Sequence, residues 1–159
     1  MSILSREALH ALQMAMQNEL DTIHIYKKMS EKVKNKKTLK ILKNLIDEEY
    51  HHKDIMQNKI TEKGGEILDS NYDFPELPNR QQLLEIELEN CTVSELISLA
   101  IENEKISRDF YKIHYKRFDN KEVKEIFHWL IQQEEEHIRR LEKDQDSHKE
   151  YDEVGFPNN

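Results

Sequence analysis

Along the chain, apolar residues recur at three- and four-residue intervals over four long stretches, the period of an amphipathic helix. The first runs from about Ser5 to Val33 and carries Leu9, Leu12, Met16, Ile23 and Tyr26 on one stripe. The second, about Thr38 to Lys63, carries Leu42, Leu45, Ile46, Met56 and Ile60, and Gly64-Gly65 supplies its stop. A capping box, Thr92-Val-Ser-Glu95, opens the third stretch, which continues to about Phe118. A second box, Asp119-Asn-Lys-Glu122, opens the fourth, with Val123, Ile126, Phe127, Leu130, Ile131 and Leu141. Short polar turns join the first stretch to the second and the third to the fourth, which implies two antiparallel helix hairpins. Between the hairpins lies a long segment, Gly64 to Cys91, containing Pro75 and Pro78. Neither hairpin could bury its stripe alone, so this segment is expected to be a crossover inside one bundle; within it, Gln81 to Glu89 fits either a short helix or a strand. The chain should be all-α, a four-helix bundle over residues 1–145. Beyond about Gln145 the periodicity fades, and residues 146–159 are expected to form a loosely ordered tail.

The two hairpins are copies of one another. A shift of 85 residues (19 to 104, 49 to 134) lays Ala15, Asn18 and Glu19 on Ala100, Asn103 and Glu104, and Tyr26 on Tyr111. The same shift lays Leu45-Ile46 on Leu130-Ile131, Glu49 on Glu134 and His52 on His137, with no gap across the first inter-helix turn. This is an internal duplication, and the fold built from it has approximate two-fold symmetry. Polar and ionisable residues are its best-matched part.

Helical geometry says which of these face inward. At about 100° per residue, the apolar stripe of the second helix centres near Glu49, with His52 about 60° away and still on the stripe. Asp47, Glu48 and His51 rotate toward solvent. Phe127, Leu130, Ile131 and Leu141 bracket Glu134 and His137 in the same way. Glu19 interrupts the apolar seam of the first helix, and Glu104 that of the third, where Arg108 also breaks the stripe without an evident reason. Each helix therefore brings a carboxylate inward, and two bring a histidine one turn later. Buried carboxylates repel one another, and desolvation costs several kcal/mol per ion. A pair of divalent cations relieves both costs, and Glu-x-x-His places its two side chains on one helix face. Tyr26 and Tyr111 are either packing residues or supports behind the metal ligands; both readings stay open. His10, His24, His51, His114, His128 and His148 have no repeat partner and are expected at the surface.

Composition narrows the functional classes. A formal net charge of −8 provides no electrostatic footprint for nucleic acid or an anionic membrane. No apolar run approaches a membrane span of roughly 18 residues, and the N-terminal stretch lacks the basic and apolar regions of a signal peptide. A soluble, cytoplasmic protein is expected. The single cysteine, Cys91, cannot build a four-cysteine iron or zinc site within one chain.

Glu19 with Tyr26, Glu49 with His52, Glu104 with Tyr111, and Glu134 with His137 resemble the ligand pattern of the ferritin-like di-iron carboxylate superfamily. Within it they are most similar to the rubrerythrin branch, over about residues 5–145. The resemblance implies a ferritin-like four-helix bundle holding two iron ions, with manganese or zinc as substitutes. Glu49 and Glu134 would bridge the irons, Glu19 and Glu104 would be terminal carboxylates, and His52 and His137 would each cap one iron. Members of this branch reduce hydrogen peroxide with two electrons from the diferrous centre. With no rubredoxin-type cysteine domain here, the electron donor would be a separate protein, such as rubredoxin, or a small reductant. The pattern departs from similar rubrerythrins at Ser107, where an extra glutamate often stands, and at the symmetric Thr22. That departure leaves a six-ligand set closer to bacterioferritin, so ferroxidase chemistry, with O₂ or H₂O₂ as oxidant, is the alternative. A third reading, from another class, is a structural or partner-binding bundle whose metal is not catalytic. The resemblance and the exposed bundle faces imply a homodimer.

Overall fold

A computed structural model of the protein describes residues 4–68, 73–88 and 91–153, with side chains as far as residue 148. Helix α1 spans Arg6–Lys32, α2 Lys36–Glu62, α3 Gln81–Leu84, α4 Val93–Arg117 and α5 Lys121–Glu153. Local chemistry sets the boundaries. Ser5 Oγ accepts from Ala8 N at 3.1 Å, and Thr92 Oγ1 from Glu95 N at 3.1 Å, each satisfying an otherwise unpaired first-turn donor. Asn35 Oδ1 does the same for Lys37 N and Thr38 N, so α2 begins slightly before the apolar pattern does. The fourth stretch is capped by Asn120 rather than Asp119, through Val123 N at 3.1 Å. At the end of α2, Gly64 has φ 85°, and Gly65 N returns to Ile60 O at 2.9 Å. Only glycine adopts that left-handed conformation without strain.

Helices α1–α2 and α4–α5 form the two hairpins, and α1 packs on α4 while α2 packs on α5, closing a four-helix square. Neighbours across the square are antiparallel: Tyr26 reaches Ala100 while Tyr111 reaches Ala15. Likewise Lys63 pairs with Glu122 at one end of α2, and Thr38 meets His148 at the other. This pairing explains why α5 continues to Glu153 although its apolar pattern fades near Gln145. To cover the start of α2, α5 must run past residue 145, and the contacts it makes there are polar. Lys37 Nζ lies 3.5 Å from Asp144 Oδ1, and Thr38 Oγ1 lies 3.3 Å from His148 Nε2. The loosely ordered tail expected over 146–159 thus begins as helix through Glu153; residues 154–159 lie outside the described residues.

In the crossover, residues 81–84 form a single helical turn, settling the helix-or-strand alternative for that part. The core has two apolar clusters. One contains Leu12, Met16, Met56, Ile60, Phe110, Tyr111, Phe127 and Leu130. The other contains Ile25, Tyr26, Met29, Leu42, Leu45, Ile97, Ala100, Ile138 and Leu141. Each long helix passes from one cluster to the other, and at that level each carries a glutamate.

Candidate metal centre

Glu19, Glu49, His52, Glu104, Glu134 and His137 meet at the boundary between the clusters, each at most 2 % exposed. They form two overlapping groups. Around His52 Nδ1 lie Glu49 Oε2 at 3.4 Å, Glu19 Oε2 at 3.6 Å and Glu134 Oε1 at 3.9 Å. Around His137 Nδ1 lie Glu49 Oε1 at 3.1 Å, Glu104 Oε2 at 3.3 Å and Glu134 Oε2 at 4.0 Å. Glu49 and Glu134 thus present one oxygen to each group, whereas Glu19 and Glu104 each serve one. The imidazole rings are nearly parallel, with interplanar angle 9° and centroids 5.6 Å apart. Each group offers four ligand atoms within 4.8 Å of one another, a spacing that could hold a metal ion.

Both oxygens of Glu49, both of Glu134 and Nδ1 of His52 are buried without a hydrogen bond from any described residue. Buried polar atoms are ordinarily satisfied, so these orphaned oxygens and the imidazole nitrogen, each able to offer a lone pair, fit a bound cation. The electrostatics agree. Burial, reinforced by the Glu104 and Glu49 carboxylates, pushes the Glu134 carboxyl well above its usual range. Burial is the largest influence on Glu104 and acts against its ionisation, but the His137 charge and hydrogen bonds from Glu134, His137 and Tyr26 together outweigh it and hold Glu104 at about 2. Burial disfavours a charged His137, yet Glu104, Glu48 and Glu49 raise it to about 12. Without a cation, therefore, the imidazolium of His137 supplies the positive charge that the acids require.

Tyr26 and Tyr111 lie behind the terminal carboxylates. Tyr26 Oη donates to Glu104 Oε1, and Tyr111 Oη donates to Glu19 Oε1 at 2.5 Å, so each tyrosine crosses to the opposite hairpin. Burial, then Glu104 for Tyr26 and Glu134 for Tyr111, raises both phenols well above their ordinary range, keeping them proton donors. Of the two readings left open for them, this geometry matches support of the carboxylates.

Four features differ from the sequence expectations. Glu48 is only half-turned to solvent: its Oε2 lies 3.0 Å from His137 Nε2 and its Oε1 accepts from Arg140 Nη2 at 2.9 Å. A carboxylate on the far nitrogen fixes the ring and directs Nδ1 at the site. The repeat equivalent of Glu48 is Gln133; His52 instead meets the edge of Trp129, with ring centroids 5.1 Å apart. Helical phase alone hides Glu48, because a long side chain can return to the helix neighbouring its own. Second, His114 and His148 are buried rather than at the surface. His114 packs edge-on to Phe110 and is stacked on Phe127, while His148 meets Thr38 on the extended α5. Third, His10 is partly covered, tilted against Phe74, while His24, His51 and His128 are exposed as expected. Fourth, the inward seam of α4 runs through buried Ser107, leaving Arg108 to pair with its neighbour Asp109 at 3.1 Å.

Among solved structures, the fold is similar to a dodecameric thioferritin from Bacteroides fragilis (TM-score 0.71, 17 % identity, 98 % of this chain and 94 % of that one). It is similar as well to the bacterioferritin of Rhodobacter capsulatus, described with a metal-free dinuclear site and haem iron (0.68, 20 %, 96 % and 90 %). A DUF305 fragment from Deinococcus radiodurans also shares it (0.70, 10 %, 91 % and 99 %). These likenesses define a ferritin-like four-helix bundle. No curated protein matches the chain. The rubrerythrin family profile matches residues 10–145, and the chain belongs to that family. Among the described residues, no helix is long and apolar enough to cross a membrane.

Proposed function

We propose that this protein is a di-iron oxidoreductase that reduces hydrogen peroxide with electrons from a separate donor. The observation that supports it most is the pair of four-atom groups sharing Glu49 and Glu134, whose four oxygens are buried and unsatisfied. In this reading Glu49 and Glu134, which face both groups, would be shared by two irons, and Glu19 with His52 and Glu104 with His137 would each help to hold one. A di-iron centre supplies two electrons for cleavage of an O–O bond. The chain's own residues do the rest. Glu48 holds the His137 ring, and Tyr26 and Tyr111 hold the terminal carboxylates while staying protonated. The two apolar clusters restrict water on either side. The chain has one cysteine, Cys91, so a four-cysteine electron donor would lie outside it. A homodimer is the assembly we favour.

A second reading, a ferroxidase that oxidises Fe(II) for storage, is favoured by one observation. Ser107, where similar rubrerythrins often carry an extra glutamate, is bonded to Arg80, which leaves six ligands without a spare carboxylate. The two readings separate when the anaerobic, Fe(II)-loaded protein is mixed with H₂O₂ or with O₂. Faster oxidation by peroxide supports the scavenger; much faster oxidation by O₂, in a cage-sized particle, supports the ferroxidase. No oxidation by either would leave a non-catalytic metal in a structural bundle.

A further inference from the structure

The crossover is absent from the duplication, yet it delivers one buried cation to the centre of the bundle. Arg80, 6 % exposed, immediately precedes α3. Its Nε donates to Asn103 Oδ1 at 2.6 Å, Nη1 to Asn18 Oδ1 at 2.7 Å and Nη2 to Ser107 Oγ at 2.6 Å. Asn18 and Asn103 are repeat equivalents, each directly preceding a proposed terminal ligand, Glu19 or Glu104. A single guanidinium therefore ties the two halves of an otherwise two-fold arrangement.

Hydrogen-bond polarity gives this tie a consequence. Arginine can only donate, so both asparagines must offer it their oxygen and turn their NH₂ groups elsewhere. Asn18 Nδ2 donates to Tyr111 Oη at 2.9 Å and to Ser107 Oγ at 3.1 Å. With its oxygen already accepting, Tyr111 has its one hydroxyl proton free for Glu19. Were the Asn18 amide reversed, its oxygen would compete with Glu19 for that proton. Asn103 is held by the same guanidinium through its oxygen, but its Nδ2 closes no hydrogen bond among the described residues, so the Tyr26–Glu104 pair has no counterpart of this support.

We propose that Arg80 is a positioning residue for the metal centre: by fixing the amide of Asn18 it directs the Tyr111 hydroxyl onto the terminal carboxylate Glu19. The proposal rests on the metal-site reading above. It makes a prediction opposite in sign to simple electrostatics, because removing a nearby positive charge should strengthen binding of a cation, whereas losing the positioning should weaken it.

The test is a Co(II) titration of the folded chain, followed by visible absorption, for wild type, Arg80→Met, Tyr111→Phe, and the double variant. Arg80→Met should weaken Co(II) binding about 10- to 100-fold, the range for residues that orient metal ligands. In the background lacking the Tyr111 hydroxyl, it should cause no further loss, because the two changes act through one path. Unchanged or tighter binding by Arg80→Met overturns the proposal, as does an equal loss in both backgrounds. Should Arg80→Met lack helical circular dichroism, Arg80→Lys serves: one ammonium cannot meet three separate oxygens in fork geometry, so weaker binding is expected and wild-type affinity overturns the proposal. A wild-type chain that binds no Co(II) refutes the metal-site reading instead.

Discussion

Replacing Glu134 by glutamine should stabilise the metal-free fold while abolishing its capacity to gain stability from metal. Glu134 is fully buried, and burial together with the Glu104 and Glu49 carboxylates raises its pKa well above the ordinary value. In the unfolded chain it titrates near an ordinary ~4.3. Below that pH the group is protonated in both states and contributes no pH dependence. As the pH rises, the unfolded chain ionises while the folded one does not, so folding stability falls by about 1.4 kcal/mol per pH unit. Glutamine has the shape of the protonated acid and no such slope. Metal-free wild type should therefore lose stability relative to Glu134→Gln as the pH climbs above the ordinary carboxylate range, by about 1.4 kcal/mol per pH unit wherever only the unfolded chain is ionised. The neighbours do not mimic this effect. Glu104, held at about 2, loses its contribution only below the ordinary carboxylate range. His137, raised to about 12, contributes fully below about 6.5 and loses that contribution above it, in both chains. The assay is urea unfolding of chelator-treated protein at pH 5, 6 and 7, followed by circular dichroism. Parallel stability curves for the two chains, or a wild type that gains on the variant with rising pH, would mean that folding does not raise the Glu134 pKa. Adding Co(II) should reverse the order, stabilising wild type by mass action and leaving the variant largely unmoved.

Three further outcomes follow from particular contacts. Glu48→Gln should weaken metal binding at the His137 group about tenfold and leave the His52 group unchanged, seen as a biphasic Co(II) titration where the wild type is closer to uniform. Gly64→Ala forces a side chain into a left-handed turn at φ 85° and should cost about 1–3 kcal/mol in urea unfolding. Burial lowers the pKa of His114, so stability should decline as the pH drops below about 6.5, where the unfolded chain protonates first; His114→Phe should remove that decline in a pH series of thermal melts.

Much of this architecture can be read from the sequence because the duplication acts as an internal control. Any one inward glutamate could be a satisfied core residue, but six ionisable residues matched at a single offset mark the centre, and the structure brings all six together. Helical period also fixes the two hairpins and the crossover between them. What the period misses has a common cause: long side chains and polar packing do not follow an apolar stripe. Glu48 lies off the inward face yet reaches His137 across the α2–α5 seam. Arg80 sits in an irregular segment whose sequence gives no indication that a guanidinium enters the bundle. The end of α5 is helical because it covers the start of α2, but Asp144 and His148 make that contact with polar groups. Asn18 and Asn103 are visible in the repeat; that Arg80 binds both, and that Asn18 in turn supports Tyr111, appears only in three dimensions.

Counting metal separates a di-iron centre from a merely polar core. Purified protein is loaded anaerobically with Fe(II), freed of excess and measured by elemental analysis alongside Glu49→Ala and Glu134→Ala. Wild type should hold about two irons per chain, since the site offers two four-ligand groups, and either variant should lose most of that metal. Near-wild-type iron in both variants, or none in the wild type, would contradict the di-iron centre.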